Sequence, residues 1–222
     1  FLNDSNADVR KSAVIAVGLL RVADAVPKLI EVFERPRDEE TARLALEALA
    51  RLGDRAAEPI FLQNLTHPSP DRRRSAAEGL ARLGDTQYVE RLSLARLQER
   101  DRSVQLALAF ALYRLGRREF LEAIFQELDG GHHAQAAAYL LEVEPSDLYP
   151  LLRRGSVRAR RSVVEALGRI GSRDAIEHLT PLLSAEDPEL VNAANLAIHR
   201  IEQRAASPRT RPRRVGNTPK KS

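Results

Sequence analysis

The sequence predicts an all-α chain, a right-handed α-solenoid built from antiparallel helix pairs. Three observations lead there. An apolar helical pattern recurs with anchors at Arg10, Ala42, Arg73, Gln105, His133, Arg160 and Val191, which stand 32, 31, 32, 28, 27 and 31 residues apart. Periods of this size mark stacked units, each too small to bury its own apolar face. A glycine closes the first helix of a unit at the same phase in Leu52-Gly53-Asp54, Leu83-Gly84-Asp85, Leu115-Gly116 and Ile170-Gly171, where it accepts a left-handed cap. A composition 43% hydrophobic and only 5% aromatic, with no Trp, fits an Ala/Leu-rich array rather than one large core.

Each unit reads as two helices. Apolar residues at intervals of three and four, such as Leu44, Ala45, Ala48, Leu49 and Leu52, form one stripe on the first helix. The second helix is shorter. Its stripe is Val26, Leu29, Ile30 and Phe33 in the first unit, then Ile60, Leu62 and Leu65, then Val89, Leu92 and Leu94, then Phe120, Ile124, Phe125 and Leu128. Leu148, Leu151 and Leu152 continue the series, followed by Ile176, Leu179, Leu182 and Leu183. Pro27, Pro59 and Pro150 fall in first turns, where the missing amide hydrogen costs little. Pro181 falls inside the sixth second helix and predicts a kink or early break. The fifth unit opens with Gly130-Gly131 and lacks the glycine turn, so residues 129 to 155 should be irregular. The expected organisation is a solenoid over 1–204, six helix pairs plus a terminal helix, with a basic Pro/Arg-rich flexible tail over 205–222.

Composition removes several functions. Without Cys there is no disulfide, iron-sulfur cluster or thiol chemistry, and the strongest zinc ligands are missing. No run approaches 18 uncharged apolar residues, so no transmembrane helix is expected. The chain starts at Phe1 and has no Met, which reads as a processed or excised portion of something longer. Its formal charge of +4 belongs to the tail: six of the 35 basic residues follow residue 208 without one acid, leaving 29 basic residues against 31 acidic. No compartment is fixed by this; the cytoplasm is the default reading.

The pattern of an Asp-rich loop, Val-Arg, alanines, Leu-Gly-Asp and then Ala-x-x-x-Leu resembles HEAT-like repeats of the kind found in phycobilisome lyase subunits. It is carried by Asp8-Val9-Arg10, by Arg73 through Asp85 and by Val157 through Gly171, and spans roughly residues 4 to 203. The resemblance implies that first helices line a convex face and second helices a concave one. It also implies protein binding, or membership of a lyase acting on a protein-bound tetrapyrrole. Glu39-Glu40-Thr41-Ala42, Gln105 and His133 depart from the Val-Arg phase and weaken any uniform ladder from loop Asp to helix Arg.

No catalytic constellation appears. His67, His132, His133, His178 and His199 are scattered, adjacent histidines on a helix point about 100° apart, and no His-Glu-x-x-His is present. No phosphate loop or dinucleotide fingerprint occurs, and no cofactor or metal is expected. The candidate protein-binding residues, on the expected concave face, are Arg55, Phe61, Gln87, Arg91 and Glu122. Phe61 and Tyr113 are read as surface aromatics because adjacent positions already carry the stripe; Phe33, Phe110, Phe120, Phe125 and Tyr139 are read as packing. Two basic clusters are Arg72, Arg73 and Arg74, and Arg153, Arg154, Arg158, Arg160 and Arg161. On a helix, Arg154, Arg158 and Arg161 would share a face. They are either solvated arginines with acidic neighbours or a patch for an acidic protein or phosphate. The function expected is a non-catalytic scaffold with a protein partner, with nucleic-acid binding and a bilin-lyase subunit as alternatives.

Overall fold

A computed structural model describes residues 1–206. Among them are thirteen α-helices and no strand. They are α1 (Ala7–Leu19), α2 (Val26–Glu34), α3 (Glu39–Leu52), α4 (Glu58–Asn64), α5 (Pro70–Leu83), α6 (Val89–Gln98), α7 (Arg102–Arg114), α8 (Leu121–Glu127), α9 (His133–Leu140), α10 (Pro145–Leu148), α11 (Val157–Ile170), α12 (Asp174–Leu179) and α13 (Pro188–Ala206). The all-α helical-repeat fold is therefore the one expected. Of the expected tail, residues 205 and 206 extend α13, and 207–222 lie outside the described residues.

The chain divides into two compact units, Phe1–Val143 and a second from Glu144 onward. The boundary falls inside the segment that Gly130-Gly131 and the missing turn mark as irregular. There α9 spans only 8 residues and α10 only 4, the latter running into a 3-10 stretch, Tyr149–Arg153.

In Phe1–Val143 the first helices α1, α3, α5 and α7 stack side by side, and α2, α4 and α6 pack on α3, α5 and α7, the first helix of the following unit. Small residues allow the close approach. A Cβ built at Gly18 of α1 would lie 3.0 Å from Ala48 of α3, and one at Gly79 of α5 would lie 2.6 Å from the Phe61 ring of α4. Three first helices end in the expected positive-φ glycine turn, at Gly53 with φ 62°, Gly84 with φ 70° and Gly116 with φ 94°. Asp38 and Asp101 cap the helices that follow them, accepting from Thr41 N and Val104 N.

At the arginine phase Gln105 and His133 keep the tie to the preceding loop, whereas Ala42 and Val191 have no polar side chain to make it. Arg10 donates to Asp4 O at 2.8 Å, Arg73 to His67 O and Pro68 O at 2.8 Å, and Gln105 to Glu99 O at 2.7 Å. The His133 ring lies 2.6 Å from Leu128 O. In each case the side chain ties the preceding loop to the helix. Only the arginines add an ion pair to the next loop, Arg10 to Asp38 at 2.7 Å and Arg73 to Glu99 at 2.7 Å. Asp38 takes the Thr41 backbone N–H first, then Arg10 and the Thr41 hydroxyl, and its carboxyl is lowered to about 2.

A polar pin crosses α3, α5, α7 and the α9 segment. Tyr139 stacks on Phe110 with centroids 4.2 Å apart and donates to Glu78 Oε1 at 2.6 Å. Gln135 joins the Tyr139 hydroxyl at 2.8 Å to Ser103 O at 2.9 Å. Arg82 reaches Ala50 O at 3.1 Å and grips Glu142, its Nη2 lying 2.7 Å from Oε1. Burial opposes the charge on Arg82, but Glu142 and Glu78 outweigh it and raise its pKa.

In the second unit α11 and α13 lie against each other, with a Cβ at Gly168 placed 2.9 Å from Ala197. Gly171 corrects the sequence expectation: its backbone is extended, at φ −66° and ψ 150°, not left-handed. The end of α11 is instead satisfied from outside, since Arg204 donates to Gly168 O at 2.5 Å and Gly171 O at 2.7 Å. Pro181 acts as expected, because α12 stops at Leu179 and a 3-10 stretch, Thr180–Ser184, replaces its last turns.

Candidate functional site

The second helices carry the candidate interaction surface, and their local start explains which side chains it presents. A 3-10 turn precedes α4 and α6, at Arg55–Ala57 and Thr86–Tyr88, with Asp54 and Asp85 capping those turns. The α4 stripe then runs through Ala57, Ile60, Phe61, Asn64 and Leu65, all buried. This corrects two expectations. Phe61 is fully buried rather than a surface aromatic, because its ring fills the space left by Gly79. Leu62 is only half-buried. Asn64 hid the register: a polar residue holds a core position by donating to Ile60 O at 2.8 Å. Tyr113, also expected at the surface, is buried within α7.

Arg55 and Gln87 are brought together. Both are exposed and both donate to Asp85 Oδ2, at 3.0 and 2.9 Å. The Gln87 backbone N–H and then Arg55 hold the Asp85 carboxyl below its ordinary pKa. Arg91 is exposed on α6, and Glu122 is half-buried on α8, where it accepts from Gln126 at 3.3 Å.

The sequence reading missed the apolar part of this surface. Leu94, expected in the core stripe, is 61% exposed, and Leu97 is 81% exposed. Both lie away from Leu92, which is fully buried; on a helix Leu94 and Leu97 share a face with Glu90, and Arg91 and Gln98 flank it. The available signal was an excess: Val89, Leu92, Leu94 and Leu97 are more apolar residues than one stripe of a ten-residue helix can bury.

The basic clusters do not form one open patch. Arg72 pairs with Glu39 at 2.6 Å, Arg73 with Glu99 and Arg74 with Asp71 at 3.1 Å. Arg72 also lies over the Phe33 ring at 5.6 Å. Arg161 pairs with Glu189 and lies 3.7 Å from Glu165. Arg153, Arg154 and Arg158 are exposed, but the face expected to join Arg154 to Arg158 and Arg161 does not form. Gly155 at φ 75° and the Ser156 cap start α11 after Arg154, which is extended.

The histidines also stay apart. His67 accepts from Ser69 N at 3.0 Å, with burial and then Arg72 lowering its pKa. His132 N–H donates to Glu127 at 3.1 Å, and His178 stacks on Tyr149 at 3.9 Å. Among the described residues no group of three or more His, Cys, Asp or Glu is placed to hold a metal ion. No described helix is long and apolar enough to cross a membrane.

Stacked helix pairs, loops tied to first helices and an exposed second-helix surface define a helical-repeat protein of the scaffold class. A family profile described as HEAT repeats matches residues 1–81, 26–112 and 145–211, and the chain belongs to that family. Phycocyanobilin lyase subunit alpha of Picosynechococcus sp. (strain PCC 7002) is 33% identical to it over 148 residues, 65% of this chain and 50% of the relative. The chain thus spans about half the length of the curated relative it matches. Among solved structures it resembles the complex of CpcE and CpcF of phycocyanin lyase from Nostoc sp. PCC7120, with TM-score 0.53 and 24% identity, covering 90% of this chain and 91% of that chain. That likeness is one of fold.

Proposed function

We propose that the protein is a non-catalytic protein-binding scaffold whose contact surface is the second-helix row centred on α6. The observation that carries this reading is the pair Leu94 and Leu97, two leucines that packing does not use, bordered by Glu90, Arg91 and Gln98. An apolar centre with a charged rim suits a protein partner. The carboxylates facing Arg72, Arg73, Arg74 and Arg161 favour this over a phosphate track. The test is co-purification with a defined partner: Leu94→Asp with Leu97→Asp abolishes capture while circular dichroism stays unchanged. Undiminished capture by the double variant overturns the reading.

A second reading, that the scaffold serves as a subunit of a bilin lyase, is favoured by the 33% identity to a phycocyanobilin lyase subunit. Here the array would hold a chromophore-bearing protein. Co-expression with a phycocyanin subunit and phycocyanobilin tests it through the visible absorbance of the purified subunit. Chromophore attachment that rises with this chain and falls in the Leu94/Leu97 variant supports it; absorbance indifferent to the chain removes it.

A further inference from the structure

Arginine pairing in Phe1–Val143 differs between first and second helices. On the first helices Arg10, Arg72, Arg73, Arg74 and Arg82 each meet a carboxylate within 3.1 Å. Arg91 and Arg96 of α6, and Arg100 just past its end, have no carboxylate partner among the described residues. Arg91 and Arg100 are exposed. Arg96 lies over the Phe120 ring at 5.0 Å, and its Nε is buried without a hydrogen-bond partner. The nearby acids are used elsewhere: Asp85 takes Arg55, Glu99 takes Arg73 and Asp101 caps α7. Glu90 is the one acid within α6.

These unspent charges border the exposed leucines. Arg91 precedes Leu94 by three residues, Arg100 follows Leu97 by three, and Arg96 is its neighbour. A cleft of about 350 Å³ opens on the same side as Gln98 and Arg100, walled by Ala95 of α6 and by Leu65, Thr66 and Pro68 of the connection between α4 and α5. The leucines thus form a ridge beside a groove, the relief that a helix laid along α6 can fill.

We propose that the partner segment seated on the α6 face is an acidic amphipathic helix, with aliphatic residues three and four apart over Leu94 and Leu97 and carboxylates facing Arg91, Arg96 and Arg100. This rests on the α6 reading above and names the chemistry of its partner. Guanidinium groups take carboxylates in a planar, two-pronged fit. At the rim of an apolar contact such pairs decide which partner is accepted more than how tightly it is held. This chain is a poor source of the occupant. Residues 207–222 hold six basic residues and no acid, and two α6 faces brought together would oppose like charges, with Glu90 as the one counter-charge in each helix.

The test reads the anisotropy of three fluorescent helical peptides against the full chain. All three carry leucines three and four apart; the flanking positions are Glu in the first, Gln in the second and Lys in the third. The Glu peptide should bind saturably, about tenfold or more tighter than the Gln peptide, and its affinity should fall as salt rises. Leu94→Ala with Leu97→Ala, which leaves the charge unchanged, should weaken it by about tenfold or more. Arg91→Glu with Arg100→Glu should invert the order of the Glu and Lys peptides, whereas Arg158→Glu, exposed in the second unit, should leave the order as it is. Arg91 and Arg100 are exposed, so circular dichroism should match the parent. Equal binding of the Glu and Gln peptides, both weakened by the leucine variant, overturns the acidic partner while the α6 surface stands. Binding of the Glu peptide that ignores the leucine and arginine variants lies elsewhere on the chain and overturns the proposal, as does the absence of saturable binding.

Discussion

At the scale of single residues, two polar groups carry more than their number suggests. Tyr139 is buried and its hydroxyl is both donor to Glu78 and acceptor from Gln135. Tyr139→Phe keeps the ring stack on Phe110 but strands both partners, so it should destabilise the fold by about 1–2 kcal/mol in urea melts. A loss near zero would mean that solvent replaces the hydroxyl. Asp38 acts through charge. Its folded pKa, held at about 2 by the Thr41 N–H and Arg10, lies below the ordinary 3.8. Between those values the unfolded chain binds more protons than the folded one, so stability rises with pH. The contribution is fully present above about pH 4 and fades as pH falls through 2. Asp38→Asn, which can still cap α3, should therefore be less stable than the parent at pH 6. The gap between the two should close progressively from pH 4 towards pH 2.

At the scale of elements, register decides which side chains are available. Gly79 is not a turn glycine but a helical one, and Phe61 occupies the space of its missing Cβ. Gly79→Ala gains about 1 kcal/mol of helix propensity, yet it forces a methyl to within 2.6 Å of the ring. The clash should win, with a net loss of about 1–2 kcal/mol, and Phe61→Leu in the same chain should recover part of it. Melting temperatures of the two single variants and the double variant measure this; additive losses would show that the ring and the methyl never meet. The same contact shows why the exact register of the second helices was less legible than that of the first. Long helices such as α3 offer a stripe repeated over several turns, and Leu-Gly-Asp marks their end. The seven-residue α4 offers one repeat, and there Asn64 sits in the stripe while Gly79, which makes room for Phe61, lies 18 positions further along. Gly171 misled for a related reason: the residue that satisfies its helix end, Arg204, is 33 positions away. Long-range partners leave no local mark.

At the scale of the whole chain, stability in a repeat array is shared between neighbours, so it should be lowest where neighbours contribute least. Residues 70 to 128 contain α5 through α8, with α5 and α7 at 14 and 13 residues. Residues 129 to 155 contain only the short α9, the single turn of α10 and the 3-10 stretch Tyr149–Arg153, and the boundary between the two compact units lies within them. The pin through Tyr139 and Glu142 anchors α9 to the first unit, so the weakening should be uneven. Amides of Ala136–Leu140, close to the pin, should exchange with deuterium more slowly than those of residues 144–156, and both more slowly than exposed loop amides. Peptides from 144–156 should in turn exchange well ahead of those from α5 and α7. Tyr139→Phe should accelerate exchange in α9 while leaving α11 unchanged. Acceleration of α11 to the same degree would show that the two units unfold together and that the boundary has no energetic meaning.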